Sequence, residues 1–312
     1  MYTTYLLGLG RIGAAGINGS FSALSEYTHL GHLKADKRFR LVGIWDSDPH
    51  KQTYISQRPE FSNLLNSNYT ELNPEVIVIA TPPETHFELV TRILKNCSPK
   101  MLVCEKPFGN SMEQAIKMRD LIFNSGVRCI VNYPRSISFS ESRLLLSVKH
   151  YLQSDKQLFV GITISDRSNS STWHLFNLLL KIDKRFSKLI FRSYSTNDIK
   201  YFNAQYENLT LALTILDRDV ESFGEIQFIM EDQVIWLMDG FSKIYTSSSN
   251  NYFGWKQFPQ HAENTFRLLK NPMNILYSEV FRNLNLGDVE YSELDSYILT
   301  HFMIENLNSA IK

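Results

Sequence analysis

An apolar run over residues 2–7 stops abruptly at Gly8-Leu9-Gly10-Arg11-Ile12-Gly13. A short, continuous apolar run ended by glycine is the pattern of a buried parallel strand closing in a tight turn. The GxGxxG spacing constrains what comes next. Its glycines let the backbone turn sharply and approach a bound group closely, at the N-terminus of a helix.

Similar apolar runs recur at residues 40–45, 76–80, 100–104 and 128–131, with helix-length segments at 85–96 and 111–125 between the later ones. Alternating strands and helices predict an α/β domain over residues 1–131, a doubly wound parallel sheet of the Rossmann type that binds a dinucleotide. From residue 132 the pattern changes. Leu209, Leu211, Leu213 and Ile215 alternate with Thr210, Ala212 and Thr214, whereas residues 234–238 are apolar at every position. Alternation predicts an antiparallel or mixed sheet, and the continuous run predicts a strand covered on both faces, by helices on one side and a second subunit on the other. The Ser/Asn-rich residues 246–252 read as a hairpin loop, and residues 292–311 as a helix. Residues 132–312 are thus expected to form an α+β domain for substrate binding and oligomerisation. Two domains suit 312 residues, since single cores stop growing at roughly 250.

Lys plus Arg and Asp plus Glu each number 32. That balance removes the electrostatic reason to expect a nucleic-acid partner or a membrane surface. Cys97, Cys104 and Cys129 lie in or beside apolar runs without metal-ligand spacing, so buried free thiols and no metal are expected. The first residues carry neither a basic region nor a cleavage site, and no apolar stretch reaches the roughly 20 residues a bilayer requires. A cytoplasmic protein is the expectation.

The glycine turn, Gly8 to Gly13 with Arg11 and Ile12 between, is placed to hold a pyrophosphate. Asp46 ends the second apolar run, where a carboxylate accepts hydrogen bonds from the adenosine ribose. It lies farther along than the usual spacing of about 20 residues, the excess being residues 16–33, an extended loop or lengthened first helix. A carboxylate there repels a ribose 2′-phosphate by roughly 1 to 4 kcal/mol at about 4 Å, which favours NAD over NADP. Ala80-Thr81-Pro82-Pro83-Glu84-Thr85-His86 follows the third run, at the strand end where open sheets place ligands. Cys104-Glu105-Lys106-Pro107-Phe108-Gly109 follows the fourth.

The order GxGxxG, strand-end Asp, ATPPxTH and CEKPFG resembles the Gfo/Idh/MocA oxidoreductase family across essentially the whole chain. The resemblance implies a nicotinamide cofactor contacted by the glycine turn, Asp46, Thr81, Pro82, His86, Glu105 and Lys106. It also implies a Lys106 that reaches nicotinamide and substrate, and a Lys-Pro peptide that is often cis. The family carries DxxxH and a later Asp on a helix of the second domain. This chain has Ser170, His174 and Asn177 at those places, Ser170 replacing the first Asp. The stretch 168–177 is similar to members associated with bacterial surface-polysaccharide enzymes. His174 and Lys106 are then the catalytic candidates, with the proton acceptor open between them. Arg135, His174 and Asn177 join Lys106 as substrate contacts, Arg135 being open either to an anionic group or to a salt link between domains. His29 and His32, spaced HxxH, read as a helix face.

The resemblance implies hydride transfer between nicotinamide and a hydroxyl or keto carbon of a sugar or nucleotide sugar, and the two-sided apolar run 234–238 implies a homodimer or homotetramer joined through the C-terminal sheet. The alternative is a non-catalytic NAD(P)-binding regulator or sensor of the same fold.

Overall fold

The computed structural model describes residues 1–15, 25–140, 143–166, 170–196, 198–216, 224–238, 243–248, 250–252, 255–257, 271–287 and 291–311. The chain divides into two compact units: 1–134 with 271–298, and 135–270 with 299–312. Hydropathy alone assigns everything after residue 131 to one domain. The segment Asn271–Ile298 instead packs with the first unit.

In the first unit, strands β1 (Tyr2–Leu7), β2 (Phe39–Trp45), β3 (Val76–Ile79), β4 (Met101–Cys104) and β5 (Arg128–Val131) form a parallel sheet in the order β2-β1-β3-β4-β5. A single parallel bridge joins Ile44 to Leu65 outside β2. Counting that bridge as a strand reduced to one residue restores the dinucleotide-binding order 3-2-1-4-5-6. Every residue of β3 and β4 is buried, as helices on both faces of a parallel sheet require. The helices are α1 (His29–Ala35), α2 (Pro49–Ser56), α3 (Tyr69–Leu72), α4 (His86–Asn96), α5 (Met112–Ser125) and, from the C-terminal segment, α9 (Pro272–Leu284). Local chemistry sets their ends. Thr28 caps α1 by accepting from Gly31 N, Asp48 caps α2 with Pro49 at its first position, and Asn271 caps α9 ahead of Pro272. Of the 16–33 excess, residues 16–24 lie outside the described residues, and α1 occupies part of the rest.

The second unit contains α6 (Pro134–Ser140, Pro134 itself belonging to the first unit), α7 (Arg143–Leu152) and α8 (Ser170–Ile182). The long α10 (Ser292–Ala310) counts to Ile298 in the first unit and from Leu299 in the second. The sheet of the second unit is seven-stranded and mixed: β6 (Leu158–Ser165), β7 (Arg192–Ser195), β8 (Ile199–Tyr206), β9 (Leu209–Leu216), β10 (Gly224–Ile229), β11 (Gln233–Met238) and β12 (Lys243–Ser248), in the order β12-β11-β10-β6-β9-β8-β7. Only β6 and β9 run parallel. The alternating leucines of β9 face a core that includes Phe228, Ile235 and Leu237, with Leu175, Phe176 and Leu179 of α8 and Met303 and Leu307 of α10 packed in.

Two details differ from the hydropathy reading. Thr246–Ser248 completes β12, and Asn250–Tyr252 forms a strand β13 paired with β14 (Trp255–Gln257). Ladder pairing to β11 overrides the loop-like composition, because strand preference depends on neighbours more than on residue type. Of the three free cysteines, Cys97 and Cys104 are buried, while Cys129 is half-buried.

Candidate functional site

The first unit gathers its motif residues along one sheet edge. Each ladder runs one residue past its strand: Gly8 N donates to Trp45 O at 2.8 Å, Ala80 N to Leu7 O at 2.7 Å, Glu105 N to Ile79 O at 2.9 Å and Asn132 N to Cys104 O at 2.8 Å. Asp46, the glycine turn, the 80–86 loop and Glu105-Lys106 are therefore side by side at the carboxyl ends of the strands, astride the β1/β3 switch point where such sheets bind ligands.

The glycines divide their labour. Gly8 has φ +95°, and a Cβ there would lie 2.3 Å from Ala80 O; a Cβ on Gly13 would lie 2.2 Å from Gly8 O. Both are dictated by the fold. A Cβ on Gly10 would meet nothing within 4 Å, so its bareness leaves open space for an approaching group. Arg11 is exposed and Ile12 half-buried in a single wide helical turn, Arg11–Ala15. This cradle fits a dinucleotide pyrophosphate.

Asp46 is 8% exposed and well supplied with donors. Its carboxylate accepts from Leu9 N at 2.6 Å and Asp48 N at 2.9 Å, and Lys51 Nζ lies 3.2 Å away. The carboxylate thus ties β2 to the glycine turn, and Lys51 offsets part of its charge.

Thr81 is half-buried and Pro82 exposed at the same edge. His86 is fully buried: Nε2 lies 2.9 Å from Thr81 O and Nδ1 3.1 Å from Pro107 O. Burial lowers its pKa, against the opposing pull of those carbonyls; with one N–H the ring donates to one carbonyl, while Nδ1 also lies 3.4 Å from the Cys104 thiol, and the ring packs the 80–86 loop against the Lys-Pro turn. It presents no surface to a ligand. The Lys106-Pro107 peptide is cis.

Glu105 is 7% exposed. Its Oε1 accepts from Asn132 Nδ2 at 2.5 Å and lies 2.9 Å from His29 Nε2, whose ring continues through Nδ1 to the Tyr277 hydroxyl at 2.8 Å. Burial pushes the Glu105 pKa up, but His29, Asn132 and the charge of Lys106 outweigh it and hold the carboxyl below its ordinary value. His29, read from sequence as a helix face, is thus a fully buried partner of the Glu-Lys-Pro motif. Its only sequence signal is a polar residue on a helix that turns out to be buried from His29 to Leu33.

In the second unit His174 is half-buried on α8, beside the fully buried Leu175. Arg135 opens α6; burial lowers its pKa while the charge of Asp166 opposes that. Asp166 also accepts from Thr172 N at 2.6 Å and Thr172 Oγ1 at 2.7 Å, anchoring the first turn of α8. Sequence reasoning overlooked Asp166. Asn177 is fully buried, accepting from Ser136 Oγ at 2.5 Å and donating to Thr300 Oγ1 at 3.3 Å. With both ends of its amide engaged, it fastens α8 to α6 and α10 instead of facing a substrate. The residues 167–169 lie outside the described residues.

Residues 8–133 match the Gfo/Idh/MocA family model, an oxidoreductase family with an NAD-binding Rossmann fold. The match covers the dinucleotide-binding part of the chain and places that part in the family's fold. An uncharacterized oxidoreductase of Schizosaccharomyces pombe is 30% identical over 99 residues, spanning 30% of this chain and 26% of that protein, about a quarter of its length. Among solved structures, a super-repressor mutant of Gal80p from Saccharomyces cerevisiae has TM-score 0.70 at 12% identity, covering 99% of this chain and 95% of the other. The WlbA dehydrogenase of Bordetella pertussis, in complex with NADH and UDP-GlcNAcA, has TM-score 0.68 at 16% identity, covering 100% and 97%. UDP-N-acetylglucosamine 3-dehydrogenase GnnA of Acidithiobacillus ferrooxidans has TM-score 0.63 at 12% identity, covering 99% and 97%. At such identities these likenesses establish the fold alone. Among the described residues, no helix is long and apolar enough to cross a membrane.

Proposed function

We propose that this chain is an NAD-dependent oxidoreductase of the Gfo/Idh/MocA family, acting on a hydroxyl or keto carbon of a sugar or nucleotide sugar. The observation that carries the reading is the sheet edge of the first unit, where a bare Gly10, an Asp46 carboxylate held by backbone N–H groups and the Glu105-Lys106 strand end stand together. Gly8 to Gly13 and Asp46 would hold the dinucleotide, which when bound supplies the hydride chemistry. Lys106 stabilises negative charge developing on the substrate oxygen, and His174 takes or returns its proton. Arg135 is the substrate-side cation of the second unit. His86 and Asn177 support the reading by fixing the elements that carry these groups.

A panel of UDP-linked sugars, assayed at 340 nm with NAD and separately with NADP, tests the proposal. Turnover of at least one sugar is expected, faster with NAD, because Asp46 still disfavours a 2′-phosphate despite Lys51. Turnover only with NADP would overturn the cofactor assignment. No turnover of any sugar would favour the second reading, a cofactor-binding regulator, which the Ser170 departure and the fold likeness to Gal80p support.

The second unit is further proposed to pair with another copy through the outer face of its sheet. On β11 the inward Ile235 and Leu237 are buried, whereas the outward Trp236 is half-buried and Met238 is 37% exposed. Phe159 and Tyr201 add exposed aromatic surface on the same face. Sedimentation of the wild type should give a dimer or tetramer, and Trp236→Arg should shift it towards monomer by burying a charge at the contact. A monomeric wild type at micromolar concentration refutes the pairing.

A further inference from the structure

Glu105 ends β4 directly before Lys106, so whatever holds its carboxylate also sets the start of the Lys106-Pro107 turn. Two elements distant in sequence reach it, α1 through His29 and the end of β5 through Asn132, and α9 backs His29 through Tyr277. His29, Tyr277 and Glu105 are between 0% and 7% exposed. The donors balance with one neutral tautomer, in which the Tyr277 hydroxyl donates to His29 Nδ1 and His29 Nε2–H donates to Glu105 Oε1. The Tyr277 ring is itself wedged, stacked on His32 at 4.8 Å and edge-on to Phe39 at 5.3 Å. Among the described residues, the imidazole cannot swing without breaking one of these two buried hydrogen bonds.

We propose that His29 is a positioning residue: aimed by the Tyr277 hydroxyl, it holds the Glu105 carboxylate in place and so fixes where Lys106 presents its amine. The inference deepens the oxidoreductase reading and rests on it for its kinetic consequence, while its geometric content concerns Lys106 alone. Without the His29 donor, Glu105 keeps Asn132 and turns to Lys106, whose charge it already feels. The amine is then drawn in and held protonated.

The test uses the full chain as wild type, His29→Leu, His29→Gln and Tyr277→Phe, each first checked for folding by circular dichroism. Labelling of Lys106 by acetic anhydride is followed by peptide mass spectrometry, with the exposed Lys95 as internal reference. His29→Leu should slow Lys106 labelling about three- to tenfold, the consequence of raising its pKa by roughly half to one unit. Glutamine restores a donor near the Nε2 position, so His29→Gln should label within about twofold of wild type, which a purely steric role for His29 would not produce. Tyr277→Phe, which only frees the imidazole, should slow labelling about twofold and serves if His29→Leu does not fold. On an active sugar, His29→Leu should lower kcat by up to about 100-fold with NADH affinity little changed. Wild-type labelling of Lys106 in folded His29→Leu or Tyr277→Phe overturns the proposal, as does equal loss in the leucine and glutamine variants. A wild type inactive on every sugar, with the labelling pattern intact, would sink the enzyme reading and leave this one standing.

Discussion

Lys106→Ala is expected to lower kcat by about 10² to 10⁴, the range for removing a group that shares proton transfer or stabilises charge in the transition state. The pyrophosphate cradle is built from Gly8 to Gly13 and does not involve the Lys106 side chain, so NADH affinity should change little. Loss in kcat and in kcat/KM together, with cofactor binding intact, marks an interaction made only in the transition state. His174→Ala is expected to give a loss of similar order if it is the proton acceptor, and a much smaller one if Lys106 is. Stopped-flow NADH fluorescence on the same preparations separates binding from rate. A Lys106→Ala protein that turns over normally would refute the catalytic assignment. Ser170→Asp places the family's carboxylate one helical turn before His174. Turnover that appears only in that variant would identify the natural chain as a binding protein.

The glycine turn should respond to alanine in two opposite ways. Gly8→Ala and Gly13→Ala each place a methyl about 2.2 to 2.3 Å from a carbonyl oxygen, and Gly8 also sits at φ +95°. Both obstructing atoms are backbone, so the sheet edge has to move. Each variant should lose about 2 to 4 kcal/mol of stability, measured by urea unfolding. At Gly10 the new methyl meets no atom of the described residues within 4 Å. Gly10→Ala should therefore keep wild-type stability and lose at least about tenfold in NADH affinity, roughly 1.4 kcal/mol, by occupying the space left for the pyrophosphate. Calorimetric titration showing unchanged affinity in Gly10→Ala would mean that the cofactor lies elsewhere.

What the sequence determined by itself is local. The parallel strands announced themselves as apolar runs between glycine and proline, because a strand buried on both faces has no polar positions to confuse the pattern. The motifs followed, since GxGxxG, the strand-end Asp46 and Glu105-Lys106-Pro107 are contiguous and sit at strand ends. The alternating leucines of β9 likewise revealed one buried face. The tertiary structure alone decided which polar groups are buried and with whom. His29 looks like a helix-surface residue until its partners, 76 and 248 residues away, come into place. Asn177 and His86 carry the right names for ligand contacts, yet their hydrogen bonds are used within the protein. Asn271–Ile298 returns to the first unit, and Thr246–Ser248 pairs as strand, for the same reason. Periodicity records where a chain must hide apolar surface, whereas a buried polar group is settled by the one partner that satisfies it, and that partner can come from anywhere in the chain.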